Sequence, residues 1–323
     1  SALLSKEANK LTETNMNEAV LAEQEVLLTD DLFTKDDTAY ADADKMTRPS
    51  LTYWSDAWRR FKENKLAMVS SVILLIIIAM AIVQPMVSRY EYDEQDLFAT
   101  NQGPSMEHLF GTDQLGRDIF TRCWSGARVS LLIGVVVAVL NGTVGILYGG
   151  IAGYFGGVAD NLMMRLCELI GAIPSMLWMI LLVLIMKPGV LPIIVAIGAT
   201  GWIGMARLFR GQVLTLRETE FVMASRTMGA GSIWIIVKHL LPNAMSPIII
   251  SMANAIPGAI FSESFLSYIG LGLPLPLASW GTLASDGANQ LLIFPYQLLF
   301  PALLICITML CFNLMGEGLR DAL

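Results

Sequence analysis

The stretch LAMVSSVILLIIIAMAIVQPMVS (Leu66 to Ser88) runs 23 residues without a formal charge, and runs like it recur along the chain. A bilayer core about 30 Å thick is crossed by about 20 apolar residues in a helix, the structure in which every backbone amide is satisfied within its own segment. Six stretches meet this requirement, roughly 66–88, 127–150, 163–187, 190–208, 244–270 and 291–315. Only Lys187, Pro188 and Gly189 separate the third from the fourth, so the fourth reads either as a full span or as a re-entrant hairpin. The residues are 54% hydrophobic and 15% charged, with a mean hydropathy of +0.58. Soluble domains are nearer one quarter charged. The expected fold is therefore an all-α polytopic membrane protein with about six transmembrane helices embedded in a lipid bilayer.

Charge divides the chain. Of a formal net charge of −7, residues 1–50 carry 11 acidic against 5 basic side chains, and the remainder 17 against 16. The acidity belongs to an N-terminal extension, expected to be mostly flexible with one weakly helical piece from Asn17 to Leu28. It lacks the apolar core of a secretory signal, so none is expected there. Nothing resembles the clustered Lys and Arg that nucleic-acid binding requires. Lys and Arg instead sort by side. With the N-terminus in the cytoplasm, eleven face inward, from Arg59 through Arg210, Arg217 and Arg226 to Arg320, and five face outward. That bias predicts a multi-pass protein with both termini cytoplasmic.

After the extension, LTYWSDAWRRFKENK over 51–65 has the aromatic and basic pattern of a helix lying at the membrane interface. The first transmembrane helix follows at 66–88, then an extracytoplasmic segment at 89–126. Residues 127–323 form the core, interrupted by a cytoplasmic insert at 206–243. Gly145, Gly149, Gly153 and Gly157 recur every four residues. The first three predict a smooth helix stripe for close packing against a neighbour, and the last falls where a turn is expected. Pro174, Pro247, Pro257 and Pro301 lie inside spans, where they free carbonyls and kink helices.

The insert reads as ETEFVMASRTMGAG, a short helix ending near Gly229, then SIWIIVKHLL, a second helix capped by Ser232 and ended by Pro242. Small residues at Ala224, Ser225, Gly229, Ala230, Gly231 and Ser232 suit a helix gripped by a partner groove. On the other side, Gly111, Thr112, Asp113, Gly116, Arg117 and Asp118 form a compact turn. It is either a self-satisfied surface turn or an outer contact, for a partner protein or for closure over the mouth of a pathway. Glu263 lies within the fifth span, where an unpaired charge is costly. It either lines the pathway or its gate, or accepts hydrogen bonds from the amides of YIGLG. Cys123, Cys167, Cys306 and Cys311 show no metal or disulfide spacing, and His108 and His239 join no nucleophile. There is no phosphate loop, because GAGS lacks the lysine.

The insert resembles the coupling loop of ABC importer permeases, E-A-A-x3-G-x9-I-x-L-P. Ala224, Gly229, Leu241 and Pro242 match it, while Met223, Ser225 and His239 depart from it. Three further blocks are similar to the C-type permease of the oligopeptide, dipeptide and nickel branch. They are HLFGTDQLGRDIFTRCWSGARVSLLIG (His108 to Gly134), GYFGGVADNLMMRLCELIGAIPS (Gly153 to Ser175), with Glu168 where Asp is usual, and SESFLSYIGLGLPLPLASWGTLASDG (Ser262 to Gly287). The resemblance implies a type I importer permease in a bacterial cytoplasmic membrane, non-catalytic, with no cofactor of its own. ATP and magnesium would be bound by two cytoplasmic ATPase subunits that the insert engages. A second homologous permease and an extracytoplasmic peptide-binding protein would complete the assembly. Peptides are the implied cargo, with dipeptides or nickel chelates as alternatives. An ion-coupled secondary transporter and a non-transporting membrane sensor are the rival readings from the residues alone.

Overall fold

The computed structural model describes residues 53–323, so the extension over 1–50, with its Asn17 to Leu28 piece, lies outside the described residues. Helix α1 (Tyr53–Glu63) buries Ala57 and Phe61 and leaves Trp54 and Trp58 half exposed, as an interfacial helix should. Phe61 packs with Ala67 and Ala322, joining α1 to the end of the chain. Asn64 then breaks the helix and caps the next, its Oδ1 accepting from the Ala67 amide at 3.1 Å. Helix α2 (Lys65–Val87) is the first apolar span.

Asp118 caps α3 (Ile119–Phe155), accepting from the Thr121 amide at 2.7 Å. That cap starts the helix ahead of its apolar run, within the segment 89–126 expected to be extracytoplasmic. The 37 residues of α3 are about 55 Å long, well beyond the bilayer core. The third span is not one straight rod. Helices α4 (Gly157–Gly171) and α5 (Ser175–Met186) meet at Pro174 with a bend of 76°. Proline removes a backbone donor and disfavours helical backbone in the residue before it, so the chain breaks there instead of kinking. The fourth, α6 (Val190–Leu216), is a continuous 27-residue helix, long and apolar enough to cross a membrane.

The insert contributes α7 (Glu220–Thr227), α8 (Ser232–Ile235), a π turn (Ile236–Leu240) and α9 (Leu241–Asn243). Helix α10 (Met245–Leu266) follows and runs into a second π turn (Ser267–Leu271). Helix α11 (Trp280–Asn289) begins under a reciprocal Ser279–Thr282 capping box. The last span, α12 (Tyr296–Ala322), starts at Pro295, several residues after the apolar run opens. Proline at a helix start loses no bond, and its fixed φ suits the first turn. Among the described residues, five helices are long and apolar enough to cross a membrane, or six with α4 and α5 as one broken span.

Helix α3 is the central element and packs most extensively on α6. The glycine stripe makes that contact. A Cβ at Gly149 would collide with the carbonyl oxygen of Ala206, one at Gly145 would lie 2.5 Å from Met205 Cβ, and one at Gly153 would lie 2.9 Å from Val213 Cβ. Lipid offers no hydrophobic drive for two apolar helices to associate, so this close backbone approach supplies the dispersion contact instead. Gly157 sits past the stripe, as the first residue of α4 just after the break at Gly156.

Candidate functional site

At one end of the bundle the insert is shaped by two glycines. Thr219 holds extended backbone before α7, whose first turn carries Glu220 and whose last carries Arg226, each matching the helix dipole. Gly229 stops the helix at φ +84°. There the Ala230 amide donates to Ser225 O at 3.1 Å and the Gly229 amide to Arg226 O at 3.0 Å, the paired bonds of a Schellman motif. Gly231, in extended backbone, then occupies the cap of α8. Ser232 is the first helical residue and makes no capping bond, which corrects its expected role. Pro242 does not end the second helix either. It lies inside α9, because the π turn carries the helix past it, and the break comes at Ala244.

Val222, Ile235 and Leu240 are fully buried against Phe209, Val213, Tyr154 and Ile248, so the inner face of the insert is sealed onto α3, α6 and α10. The outer face exposes Phe221, Met223, Met228, Ile233, Trp234 and Val237. Large apolar side chains left exposed on one short insert suit an interaction surface. Of the six small residues picked from the sequence, Ala224, Gly229 and Gly231 are exposed here, while Ala230 and Ser232 are half-buried. Ser225 is turned inward, a second correction. Its Oγ donates to Phe221 O at 2.8 Å and lies 3.1 Å from His239 Nε2, tying α7 to the π turn.

Three contacts join the base of this insert to α3 and α4. Arg210 of α6 donates two bonds to Asp160 of α4, at 2.5 and 2.6 Å. Arg217 Nη1 donates to Gly153 O at 2.9 Å, and the Arg226 guanidinium sits 5.1 Å over the Tyr154 ring. Sequence reasoning counted these arginines only for orientation. Asp160 inside GYFGGVAD was the available signal for a fixed partner.

At the opposite end, the turn picked from the sequence is buried, except for Gln114 at its tip and half-exposed Leu115. Asp113 accepts from Arg117 Nε at 2.7 Å, from the amides of Leu115 and Arg117, and from Arg122. Asp118, besides capping α3, lies 3.0 Å from His108 Nδ1. Thr112 bridges to Asp118, and its carbonyl accepts from Tyr296 and Gln297. A Cβ at Gly111 would lie 2.5 Å from Gln102 O, and one at Gly116, at φ +71°, would collide with Asp96 O. The turn is thus self-satisfied, and its charged groups point inward instead of presenting a docking face. Arg117, Arg122 and Asp113 line a cavity of about 460 Å³ together with Asp286. Burial holds the Asp286 carboxyl above its usual range, against the pull of Arg122 and Arg117.

Glu263 is fully buried between α3, α10 and α11. It accepts from the hydroxyls of Ser279 at 2.6 Å, Ser267 at 2.9 Å and Ser130 at 3.2 Å. The Trp280 amide donates in turn to Ser130 Oγ, and its indole to Cys123 O. Glu263 therefore lines no pathway surface in this chain. It is a structural acceptor, as one of the two expected roles had it, but its donors are three serine hydroxyls and not the amides of YIGLG.

Residues 145–323 match the family described as binding-protein-dependent transport system inner membrane component, and residues 52–104 match the N-terminal TM domain of oligopeptide transport permease C. The chain is 52% identical over 282 residues to the oligopeptide transport system permease protein of Bacillus subtilis (strain 168), covering 87% of this chain and 92% of that one. It is 49% identical over 302 residues to the dipeptide transport system permease protein of the same organism, covering 93% and 94%. Against the oligopeptide permease protein of Escherichia coli (strain K12) it is 42% identical over 283 residues, covering 87% and 94%.

Proposed function

The chain belongs to the binding-protein-dependent transport system inner membrane component family, and on that premise we propose that it forms one half of the membrane pathway of an ATP-driven peptide importer. The exposed apolar face of the insert carries this reading. It is held out by a left-handed glycine and fastened at its base by Arg210, Arg217 and Arg226, so a push on it is passed to α3, α4 and α6. In the cytoplasm that face docks in grooves of ATPase subunits, two per assembly, which bind the ATP and magnesium that this chain does not. A second homologous permease completes the pathway, and an extracytoplasmic peptide-binding protein delivers cargo. Both termini are cytoplasmic. The cargo class follows from the relatives, one an oligopeptide and one a dipeptide permease protein.

The test is uptake of radiolabelled tri-alanine by membrane vesicles holding the chain with its copurified partners. Uptake is expected to need ATP and to survive a protonophore. Uptake that follows the proton gradient and ignores ATP would overturn the reading in favour of a secondary transporter.

A further inference from the structure

Along α3, α6 and α10 the helices border a partly open cavity of about 250 Å³, lined by Asn141, Gly201, Gly204, Ser251, Met252 and Asn254 among others. It differs in kind from the cavity at the outer turn, because no charged side chain lines it. Asn141 is buried, and among the described residues its Oδ1 has no hydrogen-bond partner. Gly201 makes room for it, since any Cβ there would collide with the Asn141 amide nitrogen. Asn254 is exposed, though it sits within an apolar helix. Primary amides are costly in a spanning segment unless something polar meets them. One buried amide without a partner, with a second, exposed amide whose Oδ1 lies toward Gly316 of α12, therefore calls for a ligand that is itself neutral and offers both donors and acceptors.

We propose that this cavity holds the main chain of the peptide cargo in mid-membrane, with the carboxamides of Asn141 and Asn254 hydrogen-bonding a cargo peptide group. A carboxamide matches a peptide bond donor for acceptor and is indifferent to side-chain charge. Gly204, with open space around it, lets an extended backbone approach closely. Met252 supplies a flexible apolar surface that fits side chains of different shapes. A wall of Leu at the same place would leave each passing peptide group without partners. The proposal rests on the peptide-import reading and adds to it the residues that meet the cargo.

The experiment uses the assembled complex in vesicles and two probes, tri-alanine and tri-alanine methylated at its central amide nitrogen. Wild type is expected to import the methylated peptide more slowly. Asn141→Leu combined with Asn254→Leu is expected to lower tri-alanine uptake about tenfold and to erase the difference between the probes, with subunit copurification intact. Asn141→Ser, which keeps a hydrogen-bonding group, is expected to retain part of the discrimination. Unchanged uptake and discrimination in the double variant overturn the proposal alone. Loss of the second permease from the complex also overturns it, by making the amides a subunit contact. Wild-type vesicles that import neither probe overturn the import reading, and this proposal with it.

Discussion

Asp113 receives two guanidiniums, from Arg117 and Arg122, and both are buried. Breaking a buried pair by removing one partner costs about 3–5 kcal/mol, because the other charge stays behind. Asp113→Ala is therefore expected to lower the inactivation temperature of the detergent-solubilised chain and its level in the membrane. Wild-type thermal stability would contradict the pairing. Glu263 makes a finer case. Gln keeps an acceptor for Ser130, Ser267 and Ser279, whereas Leu leaves their hydroxyls with none, at about 1–3 kcal/mol for each donor left unpaired. Thermal stability is expected to rank wild type, then Glu263→Gln, then Glu263→Leu well below both. Equal stability of the two variants would remove the acceptor role. The charge at Glu263 was visible in the sequence, but its role was not. Ser267 lies one helical turn beyond Glu263, but Ser130 and Ser279 come from other segments, and only tertiary packing brings them in.

Helix α3 depends on its stripe of glycines. At Gly149 the obstruction is the Ala206 backbone, which cannot rotate out of the way as a side chain can. Gly149→Leu is expected to push α3 from α6 and to abolish assembly, read by size-exclusion of the solubilised protein. Gly204→Leu has open space around the site and is expected to leave assembly intact. Assembly of both variants would show that close approach is not what joins these helices. The stripe and five of the six span positions were legible because each is local, a spacing or an apolar run. The break between α4 and α5 was only half legible. Pro174 stands in plain sight, but a proline inside an apolar run reads as a kink, and the 76° turn depends on what surrounds it. The extra turns of α3 were hidden because an Asp cap and a buried ion pair, not apolarity, begin that helix. Asn141 and Asn254 were legible as polar residues within apolar spans, though not as neighbours, because their segments are more than a hundred residues apart.

Over the whole molecule, the insert joins an exposed apolar surface to the spans. Its motif was readable as a spacing, including Gly229 and Pro242, while the inward turn of Ser225 toward His239 was not. Gly229 bears most directly on coupling. Its Cβ would meet open space, so a substitution there tests backbone shape and not packing. A β-branched residue at φ +84° costs about 1–2 kcal/mol and opposes the Schellman turn that sets the angle between α7 and α8. The decisive measurement is ATP-dependent tri-alanine uptake by assembled complexes carrying Gly229→Val, with subunit composition checked in the same sample. The account predicts uptake reduced about tenfold in complexes that still contain every subunit. Import at the wild-type rate by an intact Gly229→Val complex would contradict it.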